Sequence, residues 1–137
     1  MPSPNVEAVR GWVECYNARD VEGVLALSDP SIEFKSIFAG LGSDGVFRGP
    51  EGVRAYFEEI DDAYESFQVV ASDYVDAGAG VLVVADAVWR GKESGADGAT
   101  PIFAAFWLKG GRVLMEETLT DRAEAFAALG LSDADRQ

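Results

Sequence analysis

The sequence predicts an α+β fold, a curved and mostly antiparallel sheet with three helices packed on its concave face and a short C-terminal helix. Two observations carry this prediction. Apolar residues recur at helical spacing in two stretches of the first half, Val6 to Tyr16 and Val53 to Tyr64. Between Phe67 and Thr120, four segments rich in β-branched and aromatic residues are separated by glycine-bearing breaks. Helices gathered before a run of successive strands place the layers on opposite sides of one core. The length of 137 residues suits one domain, 1–137, and a hydrophobic content of 48% fills one sizeable core.

Each element has its own local cause. Val6, Val9, Trp12, Val13 and Tyr16 form one stripe, so a first helix is expected over Pro4 to Ala18. Asp20 offers a capping oxygen and Glu22 an acid in the positive first turn, opening a short second helix that Asp29-Pro30 stops. Ile32, Phe34, Ser36 and Phe38 alternate with Glu33, Lys35 and Ile37, the period of a strand, before a glycine-rich loop over Gly40 to Gly45. Gly49-Pro50-Glu51 starts a third helix, because proline at the first helical position loses no hydrogen bond. Its apolar stripe is Val53, Tyr56, Phe57, Ile60 and Tyr64, with Glu58, Glu59, Asp61 and Asp62 on the solvated arc. Strands are expected over Phe67 to Val75, Val81 to Arg90, Thr100 to Lys109 and Arg112 to Thr120, and a short helix over Asp121 to Gly130 before a charged, frayed tail.

Charge and composition exclude several functions. The 24 acidic and 11 basic residues, with no His, give a net charge of −13, which repels nucleic-acid phosphates and anionic lipid headgroups. The longest unbroken aliphatic stretch, Val81 to Ala85, falls far short of the roughly 20 apolar residues of a membrane span. Glu7, Arg10 and Glu14 interrupt the first twenty residues, which lack the apolar run of a secretory signal, so a cytoplasmic location is expected. A single Cys15 closes no intrachain disulfide, and without His there is neither a Cys-His pair nor a His-containing zinc site. Gly78-Ala79-Gly80 and Gly91-Lys92-Glu93 lack the remaining residues of nucleotide-binding loops. Ser43 in Leu41-Gly42-Ser43-Asp44-Gly45 has neither the full nucleophile elbow nor a base. The carboxylates offer no spaced calcium loop, so no cofactor and no metal are expected.

Three short signatures carry a family resemblance: Tyr16-Asn17-Ala18-Arg19-Asp20 after the first helix, Gly49-Pro50-Glu51-Gly52-Val53 opening the third, and Asp121-Arg122-Ala123-Glu124-Ala125 near the end. In this element order they resemble the SnoaL-like branch of the NTF2-like superfamily, over nearly the whole chain. The resemblance implies a cone-shaped fold whose sheet and helices enclose an apolar cavity, and dimerisation through the convex sheet face. It leaves the activity open, since the superfamily holds isomerases, polyketide cyclases, epoxide hydrolases, dehydratases and non-catalytic adaptors.

The familiar catalytic patterns of that superfamily do not map onto this chain. The ketosteroid-isomerase pattern of a helix Tyr, a protonated strand Asp and a proton-moving Asp registers, within about a residue, on Trp12, Ala104 and Ser36. None of these performs the corresponding step. A limonene-epoxide-hydrolase pattern needs acids and an Arg converging on one water, whereas Asp86 and Arg90 lie roughly 13 Å apart along one strand. Scytalone-dehydratase-like and SnoaL-cyclase-like mechanisms rely on pocket His residues that are absent.

One acid remains. The register places Leu114, Glu116, Thr118 and Thr120 on one face of the last strand and Val113, Met115, Glu117, Leu119 and Asp121 on the other, with Glu116 inward near Tyr16 and Tyr56. A carboxyl surrounded by Trp12, Phe34, Phe57 and Phe106 has a raised pKa and can act as a general acid or base. The alternative is that Glu116 lies at the open rim or bonds a tyrosine hydroxyl. Glu116 and Tyr16 are therefore the candidate proton-transfer pair. Trp12, Phe34, Ser36, Phe38, Tyr56, Phe57, Trp89, Ala104, Phe106 and Thr118 are the candidate pocket lining for a small, flat hydrophobic molecule. Glu117, Asp86 and Arg90 are expected to form a charge cluster on the convex face. Trp107, Leu119 and Val88 would supply an apolar patch there for a homodimer. A non-catalytic module whose pocket is filled by its own side chains is the competing reading, and an open cavity of about 300 Å³ or more would separate the two.

Overall fold

The computed structural model describes residues 3–39 and 44–131. The part of the glycine-rich loop at 40–43, which includes Ser43, and the tail at 132–137 lie outside the described residues. Helix α1 (Pro4–Asn17) opens on Ser3, whose hydroxyl accepts the Val6 N–H at 3.1 Å, and buries the expected stripe from Val6 to Tyr16. Helix α2 (Val21–Ala26) is capped as expected by Asp20, which accepts the Gly23 N–H at 3.0 Å. It ends three residues before the expected Asp29 stop, because Ser28 gives its hydroxyl to the Val24 carbonyl at 2.7 Å. Strand β1 (Ser28–Lys35) therefore begins earlier than the alternation from Ile32 suggests. Pro30 lies within a shift of the β1 pairing register between Ser28 and Glu33, where its missing N–H breaks no regular ladder.

Strand β2 (Val46–Arg48) has no counterpart in the sequence reading, since three residues are too few to display a period. Helix α3 (Gly49–Ala63) starts at the expected proline and buries Val53, Tyr56, Phe57 and Ile60. Tyr64, assigned to that stripe from sequence, instead adopts extended backbone and begins β3 (Tyr64–Asp76). The meander continues through β4 (Gly80–Gly91), β5 (Asp97–Lys109) and β6 (Arg112–Leu119). The six strands lie in the order β2-β1-β6-β5-β4-β3, antiparallel throughout except for β1 beside β6.

A break in register corrects the expected faces of β6. Trp107 pairs with Met115 and Leu108 with Val113, so the strand bulges at Leu114 and Val113 turns into the core beneath the helices. Glu116 and Thr118 keep the inward orientation expected of them.

Helices α1, α2 and α3 cover one face of the curved sheet. The C-terminal helix α4 (Arg122–Ala128) covers part of the other, where Ala125 and Phe126 are buried with Val75, Leu82 and Ala105. Trp107 and Leu119, expected in an open dimer patch, pack into this second cluster, whereas Val88 remains exposed. The expected charge cluster does not form: Glu117 pairs with Lys35 at 3.5 Å, and Arg90 with Glu65 and Asp97 at 2.9 and 3.3 Å.

Candidate functional site

The site is built where α1 and α3 cross the centre of the sheet. On β6, Glu116 lies between Phe34 of β1 and Phe106 of β5 in the strand register, and Thr118 lies opposite Ala104. The small Ala104 side chain leaves space where a larger residue would fill the layer. Helix α1 lowers Trp12, Val13 and Tyr16 onto this region, α3 contributes Tyr56, and β3 closes it with Phe67 and Val69. The rings pack edge to face, with Trp12 5.2 Å from Phe106 and Phe34 4.4 Å from Tyr56.

What remains is a cavity of about 30 Å³. It is lined by Trp12, Tyr16, Phe34, Phe38, Tyr56, Ala104, Phe106, Glu116 and Thr118 from the expected set, together with Val13, Phe67, Val69, Val83 and Ile102. The five additions are plain apolar residues whose inward parity is visible in the alternation of β3, β4 and β5 and in the α1 stripe. Nothing in their chemistry distinguishes them from ordinary core.

Three expected lining residues are not at the cavity. Phe57 is buried behind it, with its ring 5.3 Å from Tyr16 and 5.4 Å from Tyr56. Trp89 lies further along β4, packed on Tyr64 and covering Gly98, with its indole N–H directed to the Thr100 hydroxyl at 3.4 Å. Ser36 is buried behind Tyr56: its oxygen accepts the Phe38 N–H at 2.9 Å, and its hydroxyl eases the Tyr56 pKa downward by hydrogen bonding.

Hydrogen bonding accounts for nearly every polar atom in this wall. The Trp12 indole N–H donates to Ser28 Oγ at 3.0 Å, which anchors α1 to β1 and leaves no indole donor for a ligand. The Tyr16 and Tyr56 hydroxyls hydrogen-bond to each other. Burial pushes both phenols well above their ordinary range, so both stay protonated. Thr118 Oγ1 donates to Glu116 Oε2 at 2.8 Å.

Glu116 Oε1 is the exception. The residue is 2% exposed, and this oxygen is the one fully buried side-chain polar atom among the described residues without a hydrogen-bond partner. Burial pushes the Glu116 carboxyl well above its ordinary 4.5; the charge on Glu117 adds to this, and the Thr118 bond opposes it. Burial in an aromatic wall thus favours the protonated form of this group, a neutral carboxylic acid. A neutral acid so placed can donate a hydrogen bond or a proton to a molecule in the cavity. Among the described residues, no cluster of three or more His, Cys, Asp or Glu side chains is arranged to hold a metal ion, and no helix is long and apolar enough to cross a membrane.

Comparison with known proteins agrees on the architecture. Residues 9–115 match the family model described as SnoaL-like domain. None of the curated proteins matches the sequence. Among solved structures, the chain is similar to an NTF2-like protein of unknown function from Burkholderia pseudomallei, with TM-score 0.79 and 20% identity over 94% of this chain and 99% of that one. It is also similar to TerC co-crystallised with polyporic acid, with TM-score 0.77 and 21% identity over 93% of this chain and 98% of that one. A third similar structure is RV0760c from Mycobacterium tuberculosis in complex with estradiol-17beta-hemisuccinate, with TM-score 0.73 and 17% identity over 88% and 96%. With the family model spanning most of its length and the sheet, helices and enclosed pocket in place, the chain belongs to the SnoaL-like domain family, within the NTF2-like fold.

Proposed function

We propose that this protein binds a small hydrophobic molecule between α1, α3 and the sheet, and that Glu116, with Tyr16 beside it, serves a proton-transfer step on that molecule. The observation that carries the reading is Glu116 itself: a buried carboxyl with one oxygen unpartnered in a wall that is otherwise aromatic and aliphatic. Leaving such a group unsatisfied costs about 1–3 kcal/mol, a cost that folding alone gives no reason to keep. Two of the similar proteins hold an organic molecule, polyporic acid in one and a steroid derivative in the other, which supports the use of this fold's interior for ligands.

The cavity volume of about 30 Å³ favours a second reading. It is an order of magnitude below the ~300 Å³ of a typical ligand pocket, as expected of a non-catalytic module filled by its own side chains. Ligand entry therefore requires the aromatic wall to move. Phe38 is the half-buried member of that wall, held edge to face on Phe67 at 4.9 Å.

Thermal unfolding separates the readings. Wild type and Phe38→Ala are each melted against steroids, aromatic polyketides, terpene epoxides and fatty acids. A ligand class that binds the native state raises the midpoint with concentration, by the equivalent of about 2.7 kcal/mol at a hundred times Kd, and more readily in the widened variant. If no class shifts either protein, the filled-module reading replaces the first.

The same proposal includes a cytoplasmic location and a homodimer. A second copy would pack on the part of the outer sheet face that α4 leaves open, where Val70, Val88 and Met115 are 54%, 42% and 36% exposed.

A further inference from the structure

Two strands form the edges of the sheet, β2 with 3 residues and β3 with 13. A sheet edge carries backbone N–H and C=O groups that can pair with a strand laid beside them. The hazard is greatest where the strand is long, uncharged and rich in β-formers. Residues 66–72 of β3, which run without a charge between Glu65 and Asp73 and hold Phe67, Val69 and Val70, are such a segment.

The end of α1 covers this segment with side chains. In an antiparallel ladder a residue exchanges both of its backbone groups with one residue opposite. Asn17 does the same with its side-chain amide: Oδ1 accepts the Val69 N–H at 2.8 Å and Nδ2 donates to the Val69 carbonyl at 2.9 Å. Edge-facing backbone groups recur at every second residue, and two positions back Arg19 donates to the Phe67 carbonyl at 3.0 Å. Gln68 Nε2 donates in turn to the Asn17 carbonyl at 3.0 Å, which fixes the turn that presents the amide. On the other side of Val69, the pairing of β3 with β4 shifts between Ala71 and Asp73, and Ser72 gives its hydroxyl to the Val84 carbonyl at 3.1 Å. A bulge of this kind twists the edge away from a straight neighbour.

We propose that Asn17, backed by Arg19, stands in for a neighbouring strand and keeps the β3 edge from pairing with the β3 of a second copy of this chain. The partner kept out is another copy because residues 66–72 are complementary to themselves. Two such segments lying antiparallel about Val69 would exchange the N–H and C=O bonds that the Asn17 amide makes. An amide suits this task because it carries an acceptor and a donor, as a peptide group does, whereas a carboxylate or an ammonium carries only one of the two. The contact lies on the sheet edge and is separate from the outer-face homodimer proposed above.

The test uses a Val88→Glu parent, which sets outer-face association aside, in salt high enough to screen the net charge of −13. To this parent are added Asn17→Ala, the milder Asn17→Ser, whose side chain is too short to meet both Val69 groups, or Val24→Ala. The last truncates a buried α2 residue and serves as a destabilised control with the β3 edge intact. Sedimentation velocity and amide hydrogen exchange are followed from dilute to concentrated protein. In the parent, the Val69 N–H exchanges at one slow rate throughout. In dilute Asn17→Ala and Asn17→Ser it exchanges about tenfold faster, the worth of one hydrogen bond. As concentration rises both variants associate and the Val69 N–H regains its protection, because the second copy then supplies the acceptor, while Val24→Ala stays monomeric. Asn17 variants that stay monomeric would overturn the proposal and leave Asn17 as a fastener of α1 to β3. Equal association of Val24→Ala would overturn it by tracing self-association to lost stability. Association that leaves the Val69 N–H unprotected would overturn it by placing the contact elsewhere.

Discussion

At the scale of single residues, the buried acid gives the protein an unusual dependence on pH. In the unfolded chain Glu116 ionises near its ordinary 4.5, whereas burial in the folded protein holds the proton to much higher pH. Above 4.5 the native state therefore binds more protons than the unfolded state, so stability contributed by this group falls as pH rises, by up to about 1.4 kcal/mol per unit, and is fully present only below 4.5. Urea unfolding of wild type and Glu116→Gln between pH 5 and 8 should show the variant gaining on wild type with each step upward. A constant difference would mean that the carboxyl is ionised in both states. The inward orientation of Glu116 was legible from strand parity and the aromatics around it. Its unpartnered oxygen was not, because nothing in a sequence reports whether a neighbouring hydroxyl meets one carboxyl oxygen or both.

Among the elements, the junction after α1 shows how one side chain fixes a helix against two neighbours. Arg19 takes a left-handed backbone conformation, with φ of 58°, and its guanidinium donates to the Tyr16 and Phe67 carbonyls at 3.0 Å each and to Asp61 at 3.1 Å. The Asp61 pair is largely exposed and contributes little, whereas the two partly buried carbonyl bonds tie α1 to β3. Arg19→Ala is expected to lower the unfolding free energy by about 1–3 kcal/mol, with Arg19→Lys recovering only a minor share, since an ammonium cannot span the three acceptors. Asp61→Ala should change it by less than about 0.5 kcal/mol, which denaturant titration of the three variants resolves.

Trp89 and Gly98 form a second junction, facing each other across β4 and β5. A Cβ at position 98 would lie 2.2 Å from the indole ring, so Gly98→Ala must displace Trp89 and its contact with Thr100. A loss of about 1–3 kcal/mol and a shift in tryptophan emission are expected. These two junctions explain which boundaries the sequence showed. Helices with caps and long apolar stripes appeared within a residue or two. Strand β2, the early start of β1 through Asp29 and Pro30, and the bulge at Leu114 did not, because each depends on a partner strand rather than on its own period.

For the whole molecule, the net charge of −13 opposes self-association, so the proposed homodimer should strengthen as salt screens the repulsion. Sedimentation equilibrium at low and high salt, with Val88→Glu as the disrupted control, tests this: a wild type that stays monomeric at both ionic strengths removes the dimer. The position of α4 on the outer sheet face lay beyond sequence reading, since the Ala125 and Phe126 pattern says that the helix buries a side but not which surface receives it.

The parallel pairing of β1 with β6 joins strands from opposite ends of the chain at the middle of the sheet. During synthesis β1 leaves the ribosome early and waits, with one edge unpaired, until almost the entire polypeptide has followed. The β3–β4–β5 meander needs only local reversals and can assemble first, while closure of the centre is a late, long-range event. Glu116 is thus among the last residues enclosed. Until β6 arrives, Trp12, Phe34 and Phe106 lack the strand that separates them from water.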